Sequence, residues 1–213
     1  MSSVHVQRAR SALHAVSRDG MFSSVKGTRD DPLLEHKAAL AKIDGAVALS
    51  ASKAGDALAC KRGCSACCVD GLSVLPVEAA LIASSGLAAP SQPSSQPGMC
   101  AFLDDDGACS VYPVRPVLCR THGLALRSSS SSSSSSPPSS LDRRPGLRIL
   151  DDVSACELNY TTRAPTRDDI LDGNTILALV VTVDRRYRNR VGLPDDPARI
   201  ALRDLAARVT RSS

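Results

Sequence analysis

The chain has 213 residues and a formal net charge of +4 from 26 basic and 22 acidic side chains, a balance that does not require a polyanionic partner. Its hydrophobic share is 43%, but it holds only two Phe, three Tyr and no Trp, so a core must be built from aliphatic side chains. No run of 18 apolar residues occurs, and we therefore expect no membrane span.

The N-terminal part of the chain predicts a weakly ordered arm followed by a helix. Residues 1–31 show no sustained apolar period, whereas apolar residues recur at helical spacing from Pro32 to about Leu58. Pro32 suits a helix start, and Gly45 and Gly55 favour a helix in two pieces. The arm lacks the apolar stretch of a secretory signal, so we expect a cytoplasmic protein.

The middle of the chain alternates short elements with loops. Residues 72–75 predict a short extended piece, and a helix follows from Pro76 with Glu78 in its first turn. Residues 88–98 are rich in Pro, Ser and Gln and predict a surface loop. Asp-Gly at 106–107 predicts a tight turn between two short extended arms.

The segments on either side of the serine tract complete the domain prediction. Two prolines within residues 111–119 predict an extended segment. Residues 127–146 are Ser- and Pro-rich and predict a disordered insertion, because such a tract has nothing to bury. We expect residues 32–126 and 147–213 to form one domain around this insertion.

Two C-terminal helices complete the secondary-structure prediction. Thr166 and Asp169 resemble a capping box that opens a helix ended by Gly192 and Pro194. A last helix is predicted over residues 197–209. The predicted fold is therefore mainly α, a small helical domain with irregular cysteine-rich loops around a metal centre.

The eight cysteines carry the strongest chemical signal. Four fall within nine residues, at Cys60, Cys64, Cys67 and Cys68, and the others are Cys100, Cys109, Cys119 and Cys156. In a reducing compartment such a pattern indicates metal binding or redox chemistry rather than a disulfide scaffold. Thiolates at two- and three-residue spacings suit a soft metal ion or a cluster, which makes Zn²⁺ or iron, including a [4Fe–4S] cluster, the expected cofactor.

Two known cysteine frames fit less well. A zinc ribbon needs two CxxC units, whereas only Cys64-x2-Cys67 has that form. The Cys60-x3-Cys64-x2-Cys67 spacing matches the cluster motif of radical SAM enzymes. Ala66 stands where those enzymes usually carry an aromatic residue, and the βα units that they need are not apparent.

The full arrangement resembles the YkgJ-type cysteine-cluster family, whose members are described as zinc- or iron-chelating domains. The matching motifs span residues 60–160, about half of the chain. They are Cys60-x3-Cys64-x2-Cys67-Cys68, Leu75-Pro76-x-Glu78, Cys109-x2-Tyr112-x2-Arg115-Pro116-x2-Cys119-Arg120, Thr121-His122-Gly123-Leu124 and Cys156-x-Leu158-Asn159-Tyr160. The resemblance implies metal binding and implies little about a reaction.

The predicted site combines the thiols with nearby cations. We expect Cys60, Cys64 and Cys67, with one or two of Cys109, Cys119 and Cys156, to form the principal site, and eight cysteines also permit two four-cysteine sites. Adjacent Cys67 and Cys68 do not easily point at one ion, so one of them packs or joins a second centre. Because thiolates leave net negative charge, Arg115 and Arg120 are predicted to offset it beside Cys119.

Other features support weaker hypotheses. His122 lies three residues after Cys119, which is a plausible ligand spacing, but a surface or supporting histidine is the simpler interpretation. The arginines of residues 185–190 favour a solvated helix end over nucleic-acid binding. The sequence assigns no catalytic residue and leaves three roles open: a structural or sequestering metal-binding module, an iron–sulfur redox protein or enzyme, and a metal-stapled interaction module.

Overall fold

Helices and short strands alternate along the computed structural model of the chain. It describes residues 31–60, 63–128, 147–150, 152–195 and 198–209. The predicted arm, apart from its last residue, and nearly all of the predicted Ser/Pro insertion lie outside these ranges. The described helices are α1 (Leu34–Ala54), α2 (Pro76–Ser84), α3 (Val117–Thr121), α4 (Gly173–Val191) and α5 (Leu202–Val209).

Within the described residues, six short strands form two sheets. They are β1 (Ser73–Val74), β2 (Leu126–Arg127), β3 (Leu147–Leu150), β4 (Val153–Cys156), β5 (Leu171–Asp172) and β6 (Ile200–Ala201). One sheet pairs β1 with β6 antiparallel. The other has the order β3-β4-β2-β5, with β2 and β5 parallel and the other pairs antiparallel.

The prediction of a mainly α fold is therefore wrong, because the chain adopts a mixed α/β fold. The strands are two to four residues long, and a segment of that length is too short to show the alternating period of a strand in the sequence. Apart from the local pairing of β3 with β4, the strands pair with segments that are distant in the chain, as where residues 126–127 pair with 171–172. Pairing of this kind is decided by tertiary contacts.

Helix α1 runs unbroken through Gly45 and ends at Gly55, which has a φ of +52°. The prediction of two helical pieces is wrong at Gly45. One glycine inside a helix costs about 1 kcal/mol, a penalty that packing readily offsets. Here α1 buries Leu40 and Ile43 in a core cluster that it shares with α2 and α4.

Two helices begin later than predicted. Residues 171–172 join the larger sheet, and Asp172 caps α4 by accepting hydrogen bonds from the backbone N–H groups of Asn174 and Thr175, both at 3.0 Å. Residues 200–201 join the smaller sheet before α5 begins. Residues that the helical pattern had assigned to the starts of helices are therefore paired in sheets instead.

The segment before Cys119 also differs from the prediction. The two prolines do not keep it extended: residues 112–114 form a 3₁₀ turn, and α3 follows with Pro116 as its N-cap. Proline fits the first turn of a helix, where its missing N–H is not needed. None of the helices within the described ranges combines the length and apolarity needed to cross a membrane.

Candidate metal centre

The cysteines lie on the irregular segments between the core elements. Cys60 follows the 3₁₀ turn after α1, and Cys156 ends β4. Cys119 lies on α3, and the remaining cysteines are on loops. All eight thiols are free, from exposed Cys60 to buried Cys156. A free thiol is what a metal site requires before loading.

A first group of thiols gathers around the backbone of Gly123, whose φ is +94°. A Cβ at this position would stand 3.4 Å from Cys60 Sγ and 3.7 Å from Cys156 Cβ. The backbone N–H of Cys156 also donates to the Gly123 carbonyl at 3.2 Å. Glycine therefore lets two thiols that are far apart in sequence meet at one turn.

Asn159 holds this group together from a fully buried position. Its Nδ2 donates to the Gly123 carbonyl at 2.6 Å and to Cys60 Sγ at 3.2 Å, while its Oδ1 accepts from the backbone N–H of Ala59 at 2.8 Å. A donor directed at sulfur favours the thiolate and supplies the kind of contact that orients a metal ligand.

Electrostatic interactions add Cys64 and Cys67 to the same group. Burial raises the pKa of the Cys60 thiol, Asn159 opposes this shift, and the charges of Cys64, Cys156 and Cys67 add to it. Burial likewise raises the pKa of Cys156, and the charges of Cys67 and Cys64 raise it further. Charges act on one another over distances of up to about 10 Å, so these effects place the four thiols in the same region of the fold.

A second group lies along an irregular antiparallel contact. The backbone N–H of Cys100 donates to the Cys68 carbonyl at 3.0 Å, next to a bridge between Val69 and Met99. A second bridge joins Cys109 to Leu103, on the two arms of the predicted tight turn. Cys100 and Cys109 pack against one apolar cluster. Backbone pairing thus brings three cysteines from three segments together.

Cys119 joins the second group from α3. Burial raises the pKa of its thiol to about 12, and the charges of Cys100 and Cys109 contribute next. Burial also raises the pKa of Cys109, with smaller contributions from Cys100 and in the opposite direction from Arg115. These thiols are therefore protonated at neutral pH in the metal-free protein.

Cys67 and Cys68 mark the boundary between the groups. Their side chains hydrogen-bond to each other, and this contact lowers the pKa of Cys67 to about 7 while it raises that of Cys68. Cys67 also adds to the charge felt by Cys119, as the smallest of that thiol's neighbours. The two adjacent thiols therefore differ in pKa, and the expectation that one of them packs or joins a second centre stays a prediction.

Glu78 positions α3 and with it Cys119. This buried carboxylate accepts the backbone N–H of Leu75 at 2.9 Å and that of Val117 at 2.8 Å. One side chain thereby satisfies the first turns of both α2 and α3. Burial raises the pKa of Glu78, and its charge in turn helps raise the pKa of Cys119.

The two predicted cations lie in different surroundings. The Arg115 guanidinium stacks 4.0 Å from the centre of the Tyr112 ring, and its charge acts on Cys109. Arg120 is buried, pairs with Asp44 on α1 and donates to the carbonyls of Arg115 and Pro113 at 2.8 and 3.0 Å. Arg115 keeps the predicted role of charge compensation as a hypothesis, whereas these contacts give Arg120 the role of anchoring the α3 turn.

A close approach of two loops encloses the CxxxCxxCC segment. A Cβ at Gly107, where φ is +73°, would stand 3.1 Å from Ser65 Oγ and 3.2 Å from the Gly63 carbonyl. The turn at Asp106 and Gly107 therefore packs directly on the loop that carries the first cysteines. A cavity of about 230 Å³ lies at this contact, lined mostly by polar and glycine loop residues together with Met99 and Leu103 and, within the described ranges, by no cysteine.

The arginines near the end of α4 are engaged within the fold. Arg188 is buried and donates to Asp184 at 2.8 Å, and Arg186 and Arg190 pair with Glu35 at 3.2 Å. These ion pairs match the prediction of a helix end better than that of a nucleic-acid surface.

The donor set fits a soft metal, but it is not arranged for one in advance. Across the described part of the chain, no three or more His, Cys, Asp or Glu side chains form a group that could hold a metal ion as they stand. Eight free thiols in two neighbouring groups nevertheless have the chemistry that Zn²⁺ and iron prefer. Metal binding therefore requires the thiol side chains to converge.

Residues 59–137 match the model of the CxxCxxCC family, described as a putative zinc- or iron-chelating domain. The match covers less than half of the chain, so it shows a similarity of this segment to that domain. The family resemblance predicted from the cysteine motifs is thus confirmed, and with it metal binding in the general sense of zinc or iron. No curated protein and no solved structure matched the chain.

The CxxCxxCC match ends before Cys156. The fold nevertheless brings Cys156 beside Cys60, which lies within the matched segment. Sequence reasoning had placed Asn159, Gly123 and Glu78 within family motifs but gave none of them a role at the site. A signal was present for Asn159, because a polar residue inside a cysteine motif is expected to serve the ligands, whereas Gly123 and Glu78 lie in motifs without a cysteine. Their contacts join segments about 40 to 100 residues apart, which motif spacing alone does not show.

Proposed function

We propose that this chain is a cytoplasmic metal-binding protein that chelates zinc or iron through cysteine thiolates in a structural or sequestering role. One observation carries the proposal: eight free thiols from five separate segments gather in two neighbouring groups within and beside a CxxCxxCC domain. Cysteines that served only as buried apolar side chains would not need hydrogen-bond donors such as Asn159 directed at sulfur.

The eight cysteines are the proposed ligands. Zn²⁺ held by four thiolates is a closed site that stabilises the fold, and an iron–sulfur cluster held in the same way supplies electron transfer. The chain's own residues supply orientation and charge balance: Asn159 and Gly123 hold Cys60, Glu78 holds the α3 helix of Cys119, and Arg115 compensates charge at Cys109.

Loading is expected to couple to local ordering. The thiols within each group are close enough to influence one another, yet no three are set to hold a metal within the described residues. The free energy of binding must therefore also close the cysteine-bearing loops. A site that closes around its ion suits a structural or sequestering role better than an open catalytic position.

Metal and acid-labile sulfide per chain, measured with a visible spectrum on protein purified without oxygen, test this function. Zn²⁺ without sulfide or colour supports a structural or sequestering site. Iron with matching sulfide and a broad brown absorption supports the alternative, an iron–sulfur redox protein or enzyme. Protein that binds neither metal under reducing conditions contradicts the proposal.

Variants assign the binding to the cysteines. Cys64→Ser and Cys119→Ser should each lower the bound metal per chain, because each removes a thiolate. Ala66→Ser is a matched control, since it adds a hydroxyl at an exposed position between Cys64 and Cys67 without removing a thiol. Unchanged metal content in both cysteine variants would contradict the assignment.

A further inference from the structure

We propose that the C-terminal segment of the chain positions three of the proposed metal ligands, Cys68, Cys100 and Cys109, and that its docking is coupled to metal binding. This segment comprises residues 199–209, with strand β6 and helix α5, and is called the C-terminal clasp. It lies outside the segment that matches the CxxCxxCC model. The inference rests on the proposed function and goes beyond it, because it assigns a role at the metal site to residues that carry no thiol.

The C-terminal clasp holds the part of the chain that follows Cys68. Its strand β6 pairs antiparallel with β1, and the backbone N–H of Leu202 donates to the Leu72 carbonyl at 2.9 Å. The Arg199 guanidinium donates to the hydroxyl of Ser73 at 3.0 Å and to its carbonyl at 2.6 Å. These bonds fix the backbone a few residues beyond Cys68.

Arg203 extends this contact to Asp70, which is closer still to Cys68. Its guanidinium bonds both carboxylate oxygens, from Nε to Oδ1 at 3.3 Å and from Nη2 to Oδ2. The backbone N–H of Asp70 donates to the Gly98 carbonyl at 2.8 Å, and that of Cys100 donates to the Cys68 carbonyl at 3.0 Å. A displacement of Asp70 is therefore transmitted through two backbone bonds to the segments of both cysteines.

The buried face of α5 also supports the loops of Cys100 and Cys109. Leu202, Leu205 and Ala206 are buried in the apolar cluster against which these two cysteines pack. Leu205 is one of the most buried large side chains of the described residues, at 1% exposure. Both cysteines thus pack on a core that α5 completes, and movement of the helix would remove part of that packing.

Coupling follows from the need for the thiols to converge. No three ligands are set to hold a metal within the described ranges, so part of the binding free energy must order the cysteine-bearing segments. A docked C-terminal clasp already holds three of these segments, and such pre-organisation raises affinity. By thermodynamic linkage, bound metal must then hold the C-terminal clasp in place by the same factor.

Charge reversal at Arg203 tests the effect on metal binding. Arg203→Glu sets two carboxylates against each other and should lower the zinc affinity of the reduced chain about 3- to 10-fold in competition with a chelator. Arg186→Glu is the matched control, because Arg186 is 65% exposed in its ion pair with Glu35 and Arg203 is 66% exposed in its pair with Asp70. Both variants lose a surface ion pair and change the net charge equally. We expect Arg186→Glu to bind zinc as the wild type does.

A swapped ion pair separates the contact from the charge near the thiols. Asp70→Lys combined with Arg203→Glu has the net charge of the wild type and restores an attraction between the two positions. This double variant should recover most of the zinc affinity that Arg203→Glu loses. Affinity that stays as low as in the single variant would overturn the positioning role of the pair.

Amide hydrogen exchange of the unsubstituted protein tests the reverse direction. Zinc should slow exchange at residues 200–206, which include the Leu202 amide bonded to Leu72, by the same factor of about 3 to 10. The amides of α4 in the same sample report the effect of zinc on the fold as a whole. A segment that served only the fold would gain no more protection than α4. In Arg203→Glu the additional slowing should be lost.

The possible outcomes separate the two proposals. Equal zinc affinity in Arg203→Glu and Arg186→Glu would overturn the coupling and leave metal chelation standing. Zinc that slows exchange no more at residues 200–206 than at α4 would overturn it in the same way. If the chain takes up only an iron–sulfur cluster, cluster retention and exchange of the cluster-loaded protein decide by the same criteria. A wild-type chain that binds no zinc and, on reconstitution with iron and sulfide, no cluster would overturn both proposals.

Discussion

The side-chain amide of Asn159 donates from Nδ2 to Cys60 Sγ at 3.2 Å, across 99 positions of sequence. The same amide bonds Gly123 and Ala59, so it connects three segments at one point. It is fully buried, and its hydrogen-bonding groups are directed at the backbone and the thiol. One residue thus links the integrity of the fold to the orientation of a proposed metal ligand.

Asn159→Ala should weaken both the fold and the site. The substitution leaves the N–H of Ala59 without its side-chain partner and the Gly123 carbonyl with only the Cys156 N–H, which costs about 1–3 kcal/mol of unfolding free energy. It also removes the donor to Cys60, and losing such a supporting contact typically lowers metal affinity about 10–100-fold. Urea unfolding and chelator competition measure the two effects.

Asn189→Ala, at an exposed position of α4, is the control and should change neither stability nor metal affinity. Wild-type zinc affinity in Asn159→Ala would contradict the supporting role.

Gly123→Ala should disturb Cys60 in particular. The backbone at Gly123 has a φ of +94°, where a side chain costs on the order of 1–3 kcal/mol, and the new methyl group would contact Cys60 Sγ at 3.4 Å, so strain at this turn is transmitted to Cys60. Gly192→Ala is the matched control, because Gly192 has a φ of +72° but no atom within 4 Å of the added Cβ. Both variants should lose stability in urea, and only Gly123→Ala should lose metal in competition with a chelator. Equal metal affinity in the two variants would show that contact with the thiol is unimportant.

Arg120→Ala should destabilise the protein without removing a thiol. The Arg120 side chain is 4% exposed, pairs with Asp44 and donates to two backbone carbonyls, so its loss costs on the order of 3 kcal/mol. Arg186→Ala is the control, because Arg186 is 65% exposed in its pair with Glu35, and such pairs contribute about 0–1 kcal/mol. Chemical unfolding of the reduced, metal-free proteins measures both. A cost for Arg120→Ala below that of Arg186→Ala would exclude the anchoring role.

His36 should make the protein less stable in mild acid. Burial, with a smaller effect from the charge of Arg120, lowers the pKa of His36 from 6.5 to about 4. A histidine whose pKa is lower in the folded state contributes stability above pH 6.5 that is lost as the pH falls toward 4, a loss of about 3 kcal/mol. His36→Leu should flatten this part of the profile, measured by urea unfolding of the metal-free protein from pH 4 to 8. Parallel profiles for the two proteins would contradict the prediction.

The local elements could be predicted where a short segment carries its own signal. Pro76 and Glu78 mark the start of α2, and the Asp106-Gly107 turn lies between paired arms as expected. The starts of the last two helices and the pairing of the sheets could not be predicted from the sequence. Residues such as Leu171 and Ile200 pair with distant strands that are only two residues long. A helical pattern of apolar residues does not show that its first residues will pair with a strand in a sheet.

The sequence by itself determined the chemistry of the site, because its eight cysteines supply thiols whatever the fold around them, and seven of the eight lie in the segment that matches the CxxCxxCC model. Tertiary structure decided which thiols are neighbours. Cys156 approaches Cys60 because β4 returns to the turn at Gly123, and Glu78 fixes α3, the helix that carries Cys119. Thiol chemistry belongs to the residue type, whereas proximity depends on hydrogen bonds and packing between segments that are remote in the chain.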